Sequence, residues 1–272
     1  MKTIERNHLK LAYSEVGKGD FTLLFVHGSF INQDYWHEQV SFFKSTYKIV
    51  TLDLAGHGQS GNNRDAWTIQ EFGEDVAAVI QALNLKNVIL IGHSMGGDVI
   101  LEVALKYPQA IIGFIGVDYF KNAGTPPSND VQKQLDQILN NLQNDFSNTS
   151  EAYVRQGLLT PATDKTLADR VVTAYRNANP NMGFQAIASL FSYALREREL
   201  MQQLKWKMYL IQVDYMPTNE EPLKKYAGAG YEILPLQGTC HFPMLEKPVA
   251  FNRLLQNAIE KISAVQQRRQ PQ

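Results

Sequence analysis

A serine hydroxyl becomes a useful nucleophile only when a base can take its proton and fixed dipoles can receive the charge that develops on the substrate. Gly92-His93-Ser94-Met95-Gly96-Gly97 is where this chain can arrange both. A short apolar strand pattern at 87–91 runs into Gly-x-Ser-x-Gly, and a helical pattern follows from Asp98 to Tyr107. A serine on so sharp a strand-to-helix turn sits in strained backbone, and the glycines on either side let the turn close. The turn lifts the hydroxyl clear of the sheet and leaves the Met95 amide, first in the new helix, free to donate to an oxyanion. Ser94 is the candidate nucleophile.

The base must be a histidine in reach. His241 lies in Gly238-Thr239-Cys240-His241-Phe242-Pro243, just after the last strand pattern at 231–236. Ser94 and His241 both follow the carboxyl end of a strand, the edge where open α/β sheets collect their functional groups. Two carboxylates sit at comparable places. Asp214 follows the strand pattern at 208–213, and Asp118 follows the one at 111–117. His27, His57 and His93 are read as organisers of their loops. No His-x-His or His-Glu-x-x-His spacing occurs, so neither a metal nor any other cofactor is expected.

The elements that must position these residues alternate up to Tyr119. Strand patterns at 3–7, 8–16, 21–26, 47–52, 87–91 and 111–117 are separated by helical stretches at 34–43, 68–83 and 95–106. Continuous apolar strands joined by helices argue for a parallel sheet with helices on both faces. From Phe120 to Glu199 the texture changes: Asn and Gln become dense, Pro126-Pro127 breaks the chain, and only helical stripes recur. Val131, Leu135, Ile138, Leu142 and Phe146 form one, Leu167, Val171, Val172 and Tyr175 a second, and Phe184, Ile187, Leu190, Phe191, Ala194 and Leu195 a third. Strands resume at 208–213 and 231–236, with helices at 220–226 and 249–262. The expected organisation is a core of 1–119 and 200–265, a helical cap at 120–199, and a frayed polar tail at 266–272.

Four motifs in this order resemble the α/β-hydrolase superfamily over nearly the whole chain: Val26-His27-Gly28, Asp53-Leu54-Ala55-Gly56-His57-Gly58-Gln59-Ser60, the Ser94 turn, and Gly238 to Pro243. The resemblance implies a mostly parallel eight-stranded sheet with the cap inserted after the sixth strand. It implies a Ser-His-Asp triad in the order Ser94, Asp214, His241, which makes Asp214 the expected acid and Asp118 the alternative. Most relatives end the acid strand with Gly-x-x-Asp, whereas Val213-Asp214-Tyr215-Met216-Pro217 places Met216 at the usual acid position. The oxyanion donors implied are the backbone N–H groups of Ser29 and Met95, with Phe30 as the near alternative.

A serine at this turn disfavours the dehalogenase and epoxide-hydrolase chemistries of the superfamily, which use aspartate there. Attack on a carbonyl remains: an ester, lactone, thioester or amide through an acyl-enzyme, or a C–C bond beside a ketone. A ligand receptor with slow turnover is the alternative from another class. Phe30, Tyr119, Phe191 and Phe242 are the expected lining of a mainly apolar pocket for a small-molecule substrate. Among 272 residues the formal charge is −1, with 44% hydrophobic and 19% charged residues. That balance gives no reason to expect nucleic acid or a membrane surface as partner. Cys240 stands alone, which rules out an internal disulfide. The polar N-terminus and the lack of a long apolar run lead to the expectation of a cytoplasmic monomer or homodimer.

Overall fold

The computed structural model describes residues 1–269. Its sheet has eight strands: β1 (Lys2–Arg6), β2 (Leu9–Val16), β3 (Thr22–Val26), β4 (Lys48–Leu52), β5 (Val88–His93), β6 (Ile111–Val117), β7 (Met208–Val213) and β8 (Tyr231–Leu236). Their order across the sheet is β1-β2-β4-β3-β5-β6-β7-β8, with β1 and β2 antiparallel to their neighbours and the remainder parallel. Every residue of β3, β5 and β7 is buried, which explains why these strands read as unbroken apolar runs rather than alternating ones.

The core helices are α1 (His37–Phe43), α2 (Ile69–Ala82) and α3 (Met95–Lys106), followed late in the chain by α9 (Glu220–Tyr226), α10 (Pro243–Glu246) and α11 (Pro248–Arg269). Thr68 caps α2 by accepting from the Glu71 amide, the capping-box start expected from Thr68-x-x-Glu71. Five helices fill the stretch between β6 and β7: α4 (Asn129–Asn144), α5 (Phe146–Gly157), α6 (Lys165–Arg176), α7 (Pro180–Phe191) and α8 (Ala194–Gln203). Ser128, Asp145, Asp164 and Asn179 cap the first four through first-turn amides, so the dense Ser, Asp and Asn of this region are helix starts.

Three expectations need correction. The stretch 34–43 opens as a 3₁₀ turn, Gln33–Trp36, because the Asn32 side chain accepts from the Asp34 amide and tightens the entry; α1 follows only from His37. The stripe from Val131 to Phe146 is not one helix, since Asp145 ends α4 and caps α5. The tail is not frayed from Gln266: α11 continues to Arg269 through Gln and Arg, which are good helix formers, and residues 270–272 lie outside those described.

This five-helix insertion is tied to the rest of the chain at several points. Arg170 of α6 pairs with Asp34 at 2.9 Å and lies 4.2 Å over the Tyr35 ring. Phe30 packs edge-on against Phe146 of α5 and Tyr175 of α6. On the other side Arg196 of α8 grips both oxygens of Glu102 on α3, and the Tyr193 hydroxyl donates to the same carboxylate at 2.6 Å.

Candidate active site

Ser94 stands at the junction of β5 and α3 with φ 53° and ψ −128°, a strained conformation for a residue that is not glycine. Its flanks are glycine for a steric reason. A Cβ at Gly92 would lie 2.3 Å from the Gly96 carbonyl oxygen, and one at Gly96 would lie 2.6 Å from that of Val26. The Ser94 amide donates to Val117 O at 3.1 Å, which locks the turn to the end of β6.

The end of β6 carries the acid that meets the histidine. Asp118, buried and at φ 45°, places Oδ2 2.6 Å from His241 Nδ1. Burial alone would raise its pKa, but the hydrogen bond and charge of His241, together with Lys121, outweigh it and hold the carboxyl below its ordinary range. Asp214, the expected acid, is exposed and accepts instead from the Gly238 amide at 2.8 Å. The difference lies in the turn, since both residues directly follow their strands: Asp118 turns back at φ 45°, whereas Asp214 has no positive φ and leaves β7 towards the β8 loop.

His241 is held on three sides. Its amide donates to Leu158 O beyond α5 of the cap, its carbonyl accepts from His93 Nε2 at 2.8 Å, and Nδ1–H donates to Asp118. That last bond fixes the tautomer, so Nε2 presents a lone pair, and it is buried without a protein partner. Ser94, Asp118 and His241 line one cleft of about 350 Å³ with Tyr119, Leu158 and Leu190. A groove of similar size between α2, α3 and α8 holds neither a nucleophile nor a histidine.

The model of the alpha/beta hydrolase fold matches residues 22–204 of this sequence, two thirds of it. The chain belongs to the alpha/beta hydrolase fold family. It is 32% identical over 111 residues to the (E)-2-((N-methylformamido)methylene)succinate hydrolase of Acinetobacter baylyi, covering 40% of this chain and 42% of that one. It is 29% identical over 106 residues to the bifunctional esterase/perhydrolase DCH of Acinetobacter calcoaceticus, covering 38% of each. The chain spans less than half the length of the curated relatives it matches. A thermophilic esterase from Thermogutta terrifontis superposes with a TM-score of 0.80 at 18% identity, over 96% of this chain and 97% of that one.

Three further histidines of this alpha/beta hydrolase, His27, His57 and His93, are buried and hydrogen-bonded to the backbone. His27 donates from Nδ1 to Gly28 O and accepts at Nε2 from the Leu54 amide, which joins the loops after β3 and β4. His57 donates to Ala55 O and stacks on Phe30. Burial lowers His27 to about 4 and both His57 and His93 to about 3, so all three are neutral at neutral pH. Among the described residues, no three His, Cys, Asp or Glu side chains converge to hold a metal ion.

Ser29 and Met95, the expected oxyanion pair, are both buried, and the Ser29 hydroxyl donates to the Met95 sulfur at 3.4 Å. Phe30, Ser94, Asp118 and Phe120 all have positive φ, so backbone strain gathers around the cleft, whereas the other non-glycine cases are Asn and His in turns. Of the expected pocket residues, Tyr119 lines the cleft. Phe30 is packed beneath the cap, Phe242 is fully buried behind His93 and His241, and Leu190 rather than Phe191 faces the opening. On a helix adjacent residues point about 100° apart, and the helical stripe alone could not choose between the two.

Sequence reasoning missed Lys121 and Tyr215. Lys121 Nζ is 2.8 Å from Asp118 Oδ1, and the Tyr215 hydroxyl lies 3.2 Å from His241 Nδ1. Asp118 and Lys121 are close in sequence, but nothing local announced that the loop doubles back.

Asp98 is fully buried and accepts from the Tyr119 hydroxyl at 2.6 Å. It faces Glu197 of α8, whose other partner is the Gly124 amide. Burial raises both carboxyls, Asp98 well above its ordinary value and Glu197 to about 7, so the pair holds a proton that the unfolded chain would have lost. A folded pKa above the unfolded one contributes stability that is full below the unfolded pKa near 4.5 and is lost as pH rises towards 7. Glu197→Gln should therefore melt higher than the wild type at pH 8 and show little difference near pH 5. Calorimetry reads this at about 2–4 °C per kcal/mol for a chain of this size.

Proposed function

We propose that this protein is a serine hydrolase that cleaves a carboxylic ester, lactone or thioester of a small, mainly apolar substrate through an acyl-enzyme. The observation that carries the reading is the short contact between His241 Nδ1 and Asp118, which leaves Nε2 basic in the cleft that Ser94 lines. Ser94 Oγ attacks the carbonyl carbon as Nε2 takes its proton. The oxyanion of the tetrahedral intermediate is received by the Met95 and Ser29 amides. Collapse breaks the bond to the leaving oxygen or sulfur, which His241 protonates. Water, deprotonated by His241, then attacks the acyl carbon and frees Ser94.

The cleft volume suits a small substrate, and Phe120, Ala123, Leu158, Leu190 and Met216 make much of its wall apolar. Stopped-flow hydrolysis of short and medium p-nitrophenyl esters tests the reading: a burst of nitrophenol close to one equivalent per chain is expected when deacylation is slower than acylation. No ester turned over above the rate of a Ser94→Ala control would reject it.

The cap is proposed to select the substrate without taking part in proton transfer. Leu190→Ala enlarges the apolar wall and should move the preferred acyl length upward, since one methylene contact in such a pocket is worth about 1–3 kcal/mol. The check is a profile of kcat/KM against chain length. An unchanged profile for Leu190→Ala and Leu158→Ala together would remove the cap's role in selection.

A further inference from the structure

Resting on the triad proposed above, we propose that Lys121 is a positioning residue for the acid, holding Asp118 against His241 and clamping the loop after β7 to the end of β6. Its Nζ lies 2.8 Å from Asp118 Oδ1, 2.8 Å from Val213 O and 2.7 Å from Met216 O. An ammonium has three N–H donors, and three acceptors surround this one, so its direction is fixed and little of it is left for a substrate. The Tyr215 ring lies 5.2 Å from Nζ and covers the arrangement. One clamped carbonyl ends β7 and the other belongs to Met216, the position at which the motif pattern would have placed the acid. Lys121 thus fills the chemical gap left by an acid supplied from β6: it binds the carboxylate and the vacated loop at once.

The consequence is electrostatic. Asp118 is buried, and a second anion-binding partner keeps it ionised and its Oδ2 turned to Nδ1. The same positive charge lies one carboxylate away from the imidazole, so its removal should be felt at His241. Other groups facing the pair do not provide this. His93, with its ring centre 4.6 Å from that of His241, is held neutral by burial, and burial pushes Cys240 up to about 12. Burial and the neighbouring Asp118 raise Tyr215, so it too is uncharged at neutral pH. Glu246 is turned to the Cys240 amide and Asp214 to the Gly238 amide. Lys121 is the cation in contact with the dyad among the described residues.

Three substitutions separate charge from tether: Lys121→Met removes both, Lys121→Gln keeps two N–H donors without charge, and Lys121→Arg keeps charge. The expected result is that the acidic limb of kcat/KM moves up by about one pH unit in Met and Gln and stays in place in Arg, a shift usual for loss of an adjacent charge. An NMR titration of the His241 imidazole in a Ser94→Ala background reads the same shift without turnover, so it stands even if ester hydrolysis is not the reaction. Lower activity with all limbs and midpoints unmoved would reduce Lys121 to a structural tie and overturn the proposal. An equal shift in Lys121→Arg would overturn it as well.

Discussion

Asp118→Asn is expected to lower kcat by about 10⁴, the loss that follows when a triad histidine is held in the wrong tautomer. Local geometry explains why asparagine is a severe replacement here. Lys121 offers a donor to Oδ1, so the substituted side chain must turn its amide oxygen to the lysine and its NH₂ to His241. Two donors cannot face one another, and His241 Nδ1 would surrender its proton to present a lone pair. The proton would then sit on Nε2, where the base is needed. Asp214→Asn, by contrast, should leave kcat close to the wild-type value, because its carboxylate contacts the Gly238 amide rather than the histidine. The variant would lose at most part of one exposed hydrogen bond, roughly 1 kcal/mol of stability. Steady-state kinetics of the two variants side by side decides the matter: a large loss in Asp214→Asn with a near-normal Asp118→Asn would return the role to Asp214.

The larger effect is expected from Ser94→Ala, with kcat down by on the order of 10⁶, as for loss of the nucleophile in a well-studied serine protease. Stability should not fall in step. Alanine at φ 53° keeps a strained backbone, but the amide bond from residue 94 to Val117 O is retained. The variant should therefore fold, bind substrate in the same cleft and fail only in chemistry. Thermal melting beside the kinetics distinguishes this from collapse of the turn. A parallel loss of melting temperature and activity would mean that the serine matters for structure first.

Much of the fold was legible in the sequence because its strands are buried on both faces and its helices start at strong caps. β3, β5 and β7 announced themselves as apolar runs, and Thr68 with Glu71 marked the start of α2. Ser94 was legible because the steric demand of the turn is local: the glycines, the strand before and the helix after lie within a few residues. The partner of His241 was not. Asp118 and Asp214 both directly follow adjacent parallel strands, and the choice depends on how each loop leaves the sheet, where one left-handed residue redirects a carboxylate. The positive φ at Asp118 and Phe120, and the return of Lys121 onto its own strand end, are products of packing among three loops. Asp98 shows the same limit. A charge four residues past the nucleophile carries no local sign that α8 brings Glu197 against it.

The central claim is that Ser94 is a nucleophile activated by His241 and Asp118. Intact-mass and peptide mass spectrometry after treatment with a fluorophosphonate tests it most directly. The wild type should gain one phosphonyl group, located on Ser94, with labelling slowed strongly in Asp118→Asn and little in Asp214→Asn. Ser94→Ala should remain unmodified. A wild type that takes no label while folded, or an adduct that persists in Ser94→Ala, would contradict the account.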